Sequence, residues 1–147
     1  RPATSGCGEG CDTCRKETAL VDDLYGTGAA VRREVLGDTD VERAEASADD
    51  LDAAFERYVT ETVWGTVWAR ADLDRRTRSL LVIALLAQQG DDDDLARHLR
   101  ATRNTGATID DIREAILMVA VYAGVPAASR AMRVAKRVHG EEQGVAP

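Results

Sequence analysis

His98 is one of two histidines in this chain, and the one inside the core-forming region; His139 sits at a helix end near the terminus. Imidazole titrates near neutral pH, so His98 can serve as a general acid or base. A half-buried histidine bonded to a backbone carbonyl fits the position equally well, and periodicity leaves both readings open. Arg75, Arg76 and Arg78 form an arginine-rich run, and a guanidinium fork matches a carboxylate. The three cannot all face one side of a helix, so at least one is a solvated charge. Trp64 and Trp68, one helical turn apart, can wall a pocket or fill a core. Tyr122 can offer a phenol to a substrate oxygen or simply pack.

Cys7-x3-Cys11-x2-Cys14 has the spacing of the radical SAM iron–sulfur motif, but that chemistry needs a large barrel, and no strand pattern is present to build one. Cys11-x-x-Cys14 alone can be a redox pair or half a metal site; no fourth ligand lies nearby. All three cysteines fall in the first 14 residues, so no disulfide framework holds the fold. Residues 1–19 carry three glycines and almost no apolar side chains, which predicts a flexible leader outside a domain spanning 20–147. The missing initiator Met fits a fragment, and the leader fits the end of a linker in a fusion.

The elements that must position these groups read as helices. Leu20–Leu36 is expected to use Leu24, Val31 and Val35 as core contacts, with Gly26 and Gly28 weakening its first half and Gly37 ending it. Asp40–Ala48 predicts a short helix. Asp49 or Asp50 can cap a longer one in which Leu51, Phe55, Val59, Val63 and Val67 recur at helical spacing. Asp72 is the next cap candidate. Leu80–Ala87 is apolar all round, which predicts a central helix buried on every side. At eight residues it falls far short of the about 20 that span a bilayer. Asp91–Asp94 open the helix of His98, with Leu95, Leu99 and Thr102 inward. Thr108 and Asp111 resemble a capping box; the helix they start buries Ile112, Ala115, Ile116, Val119 and Ala120. Gly124 stops it, Pro126 suits the first turn of the last helix, and Gly140 ends that one.

The fold class is therefore all-α, antiparallel helices joined by short loops. The 147 residues, 44% apolar and 31% charged, suffice for one soluble domain. A net charge of −7 excludes a nucleic-acid surface. No signal peptide or membrane segment is visible, which predicts a cytoplasmic protein. Small and aromatic residues in Val63–Trp68 and Ala127–Val138 exceed what one small core needs, predicting an interface there.

Five blocks together resemble the carboxymuconolactone decarboxylase family: VRREVLGD (Val31–Asp38), VWGTVWAR (Val63–Arg70), LDRRTRSLLVIALL (Leu73–Leu86), HLRATRNTGAT (His98–Thr108) and VYAGVPAASRA (Val121–Ala131). The resemblance implies the all-helical fold shared with AhpD-type alkylhydroperoxidases and a homo-oligomer, a trimer or hexamer. It implies cofactor-independent conversion of 4-carboxymuconolactone to 3-oxoadipate enol-lactone and CO2 in aromatic catabolism. The departing carboxylate is vinylogous to the lactone carbonyl, so the substrate is its own electron sink, and no metal, pyridoxal or thiamin is called for. The roles implied are His98 and Tyr122 as proton donors, Arg75 or Arg76 holding a carboxylate, and Trp64 and Trp68 giving the leaving group an apolar setting.

Two alternatives stand beside this reading. One is a thiol peroxidase or disulfide oxidoreductase of the peroxidase branch. With that branch's final histidine placed on His98, its glutamate falls at Ser79, its cysteines at Asp91 and Asp94 and its other histidine at Asp93, so only His98 remains. The other is a non-catalytic helical assembly paralogue. Thr66, Met118 and Ser129 depart from the acid, glutamine and asparagine common in the family, which bears on the substrate.

Overall fold

The computed structural model describes residues 12–49, 51–142 and 144, with side chains from Leu24 to Glu141. Every regular element among them is helical: α1 Asp12–Leu36, α2 Asp38–Ser47, α3 Ala53–Val59, a π-helical segment Thr60–Trp68, α4 Arg75–Gln89, α5 Asp92–Thr105, α6 Ile109–Tyr122 and α7 Val125–Glu142. Cys7 and Cys11 of the expected leader lie outside the described residues, as does Asp50; Cys14 falls within α1. The chain divides into two compact units.

The first unit comprises α1 up to Arg32, α3 and the π segment. Glycine makes it possible. A Cβ on Gly28 would stand 2.1 Å from the Thr60 carbonyl oxygen, and one on Gly65 would stand 2.4 Å from that of Leu24. Backbone therefore meets backbone where any side chain would wedge the helices apart. Thr60, Trp64, Gly65 and Trp68 form the buried face. The expected stripe one residue earlier is overturned: Leu51, Phe55, Val63 and Val67 are exposed. The reason is local. The glycine that must face α1 is Gly65, and its helical neighbours Trp64 and Trp68 turn inward with it.

The second unit comprises residues 33–47 and those from Arg70 onward. Here α4 packs against α5, α6 and α7, and α7 against α5 and α6. Ile83 and Ala87 of α4, Leu95 and Leu99 of α5, Ile112, Ile116 and Val119 of α6, and Ala128, Ala131, Val134, Ala135 and Val138 of α7 make one core. The inward stripes expected for α5 and α6 are observed. The expectation that Leu80–Ala87 is buried on every side is overturned: Ser79, Ile83 and Ala87 point inward, whereas Leu81 and Leu85 are 53% and 59% exposed. All three neighbouring helices share one side of α4. The inner residues of α7, where an interface was expected, are spent in this core.

Local chemistry sets the boundaries. Asp74, not Asp72, caps α4: its carboxylate accepts from the Thr77 N–H at 2.9 Å and the Thr77 hydroxyl at 2.8 Å. Asp72 pairs with Arg70 instead. Thr108 and Asp111 form the expected capping box. Gly90, at φ 85°, ends α4. Arg130 of α7 lies against it, donating to the Ala87 carbonyl at 3.0 Å and meeting Asp92 at 3.3 Å. That clamp fixes the turn from which α5 and His98 emerge. The last helix runs through Gly140, where a stop was expected, because that glycine keeps helical geometry.

Candidate active site

His98 projects from α5 one turn after Asp94. The start of this helix is set by Asp91, whose carboxylate accepts from the Asp94 N–H at 3.0 Å. Asp91 and Asp94, the positions expected for cysteines on the peroxidase reading, thus make a helix cap, and carboxylates cannot undergo disulfide exchange. His98 is half-buried. Burial pushes its pKa below the ordinary 6.5, against the upward pull of Asp94 and Asp40 and with a further downward push from Arg97. The acidic run before it predicts the opposite shift. Desolvation wins because it acts on the ring directly, while Arg97 offsets part of the carboxylates' field. At neutral pH His98 is therefore a neutral imidazole, fitted to accept a proton.

Arg75 and Arg76 open α4 side by side but hold different carboxylates. Arg75 meets Glu34 at 2.5 Å, and both side chains are well exposed. Arg76 grips both oxygens of Asp111, with Nε at 2.8 Å. Asp111 also accepts from the Thr108 N–H at 2.8 Å. Its carboxyl lies well below the usual carboxylate range, first through Arg76 and then through Thr108. Arg76 thus joins the first turns of α4 and α6 and has its fork filled, while Arg75 meets the exposed Glu34 carboxylate. Arg78 donates to the Arg70 carbonyl at 3.2 Å.

Tyr122 is the last residue of α6 and is 81% exposed. Trp64 and Trp68 belong to the other unit, buried there with ring centroids 5.1 Å apart and a 31° tilt. That contact is a core contact. The departures Thr66, Met118 and Ser129 are all exposed. Among the described residues no three His, Cys, Asp or Glu side chains gather closely enough to hold a metal ion.

Sequence reasoning missed Glu34 as the partner of Arg75 and Asp111 as that of Arg76. Neither pairing leaves a sequence signal, since each spans tens of residues between separate helices. It also missed Asp40 in the field of His98. Ser79, the place expected for a glutamate on the peroxidase reading, is completely buried, and its hydroxyl has no hydrogen-bond partner among the described residues.

Residues 53–137 match the Carboxymuconolactone decarboxylase family. The chain is 42% identical over 123 residues to the 4-carboxymuconolactone decarboxylase of Acinetobacter baylyi, an alignment covering 84% of this chain and 91% of that protein. It is 41% identical over 114 residues to the nitrosuccinic acid decarboxylase of Metarhizium robertsii, covering 78% and 80% respectively. An uncharacterized 15.0 kDa protein of Paracoccus denitrificans is 33% identical over 84 residues, covering 56% of this chain and 63% of its own.

Proposed function

This chain belongs to the carboxymuconolactone decarboxylase family, and from that premise we propose that it is a cofactor-independent carboxy-lyase converting 4-carboxymuconolactone to 3-oxoadipate enol-lactone and CO2. The observation that carries the proposal is the 42% identity extending over 91% of a decarboxylase of that lactone.

The chemistry follows from the substrate. When the ring carboxylate leaves as CO2, the electron pair of the broken C–C bond passes through the ring double bond into the lactone carbonyl. The resulting dienolate is quenched by a proton on the ring carbon beside the carbonyl. The protein's tasks are to hold the retained acetate group, stabilise the enolate oxygen and supply that proton. Arg75 is better suited than Arg76 to the acetate: Arg76 holds both oxygens of the shielded Asp111, whereas the partner of Arg75 is the exposed Glu34, from which it can exchange. His98 rests neutral. A dianionic substrate beside it raises its pKa, so the proton is taken up with the substrate and then given to the dienolate. Tyr122 is the second donor. Trp64 and Trp68 support the reaction chiefly as packing.

Tyr122 and Val121 on α6, Val125 on α7, and Leu81 and Leu85 on α4 are all more than half exposed. This supports a homo-oligomer, trimeric or hexameric, in which a second copy covers apolar surface. No helix among the described residues is long and apolar enough to cross a membrane; a cytoplasmic place is part of the proposal.

The nitrosuccinate-decarboxylating relative is nearly as similar. Nitrosuccinate is also a dicarboxylate with an electron sink, its nitro group, on the carbon bearing one carboxylate. The deciding experiment supplies each acid in turn and follows CO2 release. Fast release from the lactone is expected. A folded protein that releases CO2 from it no faster than buffer overturns the assignment, and release from nitrosuccinate alone reassigns the substrate.

A further inference from the structure

A second cationic cluster lies in the unit containing α4–α7. Arg97, Arg100 and Arg103 of α5 and Arg43 of α2 line one open cleft of about 490 Å³, together with Asn104 and residues 36–40. Asp38 and Asp40 share the lining, so four guanidiniums face two carboxylates. Counting the lining alone, arginines outnumber acids here, in a chain of net charge −7.

The acids are already engaged. Asp40 is bracketed by Arg97 at 3.3 Å and Arg43 at 3.6 Å, and Asp38 lies 3.7 Å from Arg33. Arg97 also meets Asp94 at 2.8 Å, and Arg100 meets Glu141 at 2.9 Å. Arg103 is exposed and has no carboxylate partner among the described residues. The floor is fixed. Gly37, at φ 90°, turns α1 into α2, and the Asn104 amide beneath it donates to the Val35 carbonyl at 3.0 Å. The first turn of α2 lines the cleft, and Gly37 in its cap position brings no side chain to its N–H groups.

The α5 arginines recur every third residue, so their roots climb the helix in steps of about 4.5 Å. That spacing presents separate forks to separate oxyanion groups. At about 100° per residue His98 lies roughly 160° around α5 from Arg100, the middle of the arginine face, although Asp40 and Arg97 of the cleft lie within its field.

We propose that this cleft binds a small dianion carrying two oxyanion groups, a dicarboxylate or a diphosphate, at a site apart from His98. Arg103 holds one group. Arg100, whose pairing with Glu141 is solvent-exposed, holds the other together with the first-turn N–H groups of α2.

The test titrates the full chain at low salt with inorganic pyrophosphate and, separately, with adipate, using acetate as a monoanion control. Heat of binding and thermal melting are the readouts. At least one dianion should saturate one site per chain below about millimolar concentration and raise the melting temperature. Acetate should do neither. Arg103→Gln should weaken binding about tenfold or more, with lactone turnover and circular dichroism unchanged. Because Arg103 is exposed and has no carboxylate partner among the described residues, this variant tests the site without threatening the fold. Arg113→Gln, outside the cleft, should bind like wild type. Pyrophosphate alone assigns a phosphate ligand, and adipate alone a dicarboxylate. The proposal is overturned if neither dianion saturates, if Arg103→Gln binds both unchanged, or if Arg103→Gln loses turnover, which makes the cleft part of the reaction site.

Discussion

Arg76, on the first turn of α4, holds both carboxylate oxygens of Asp111, the residue that also accepts the Thr108 N–H in the capping box of α6. One side chain thereby fixes two helix starts. Asp111 has a folded pKa depressed below 3.8. A depressed acid adds stability that is present above its unfolded pKa and lost as pH falls through its folded one. Asp111→Asn should therefore melt below wild type at neutral pH, with the gap closing as pH is lowered past about 4. Melting curves from about pH 3 to 7 check this; a gap independent of pH would mean the carboxylate charge contributes nothing.

Two glycines of α1 should respond in opposite ways to alanine. A Cβ at Gly28 would collide with the Thr60 carbonyl, whereas one at Gly26 meets nothing within 4 Å. Gly26→Ala should stabilise by about 0.5–1 kcal/mol, the helix-propensity gain. Gly28→Ala should destabilise by about 1–3 kcal/mol or more, because backbone must move. Chemical denaturation measures both. Equal effects at the two sites would contradict the backbone-to-backbone packing.

These glycines mark where the sequence was legible and where it was not. Hydrophobic period revealed α5 and α6 with their inner residues, and cap chemistry revealed Thr108–Asp111 and the stops at Gly37 and Gly124. Period failed on α4, where an all-apolar run carries no phase to say that Leu81 and Leu85 face outward. It failed before Trp64, where two interleaved stripes compete and only the close approach of Gly65 to α1 chooses between them. Of the candidate site, the residue types were readable, but the partners of Arg75 and Arg76 were not. The direction of the His98 shift also depended on depth of burial, which spacing does not encode.

The α5 cap predicts that the core lacks thiol chemistry. Asp91 and Asp94 bond to one another where a redox pair would stand. Replacing Cys7, Cys11 and Cys14 together by serine should leave lactone decarboxylation unchanged. Neither protein should reduce peroxide with a dithiol donor. Peroxide turnover that disappears in the triple variant would make the N-terminal cysteines an active element.

The outward leucines predict assembly. Leu81→Lys with Leu85→Lys replaces side chains already 53% and 59% exposed, so the chain's own core should tolerate it. Light scattering should show the wild type as a trimer or hexamer and the double variant at lower mass. A wild-type monomer at micromolar concentration would leave the exposed apolar residues without this explanation.

His98 offers the sharpest test of mechanism. Its pKa is lowered in the fold, first by burial, with Asp94 and Asp40 opposing and Arg97 assisting. Because the folded value is depressed below 6.5, protonation opposes folding. Stability should decline as pH falls from 6.5 through the folded value, and His98→Gln should remove that decline. Catalysis should show the converse coupling. The free enzyme titrates at the depressed value and governs kcat/KM; the complex, with substrate carboxylates beside the ring, titrates higher and governs kcat. Because His98 must be protonated to donate, it sets the alkaline limb of each profile, and that limb should lie at lower pH in kcat/KM than in kcat. His98→Gln should lower kcat by about 10²–10⁴-fold with the fold intact. A folded His98→Gln protein turning over at the wild-type rate would make His98 structural and leave protonation to Tyr122 or water.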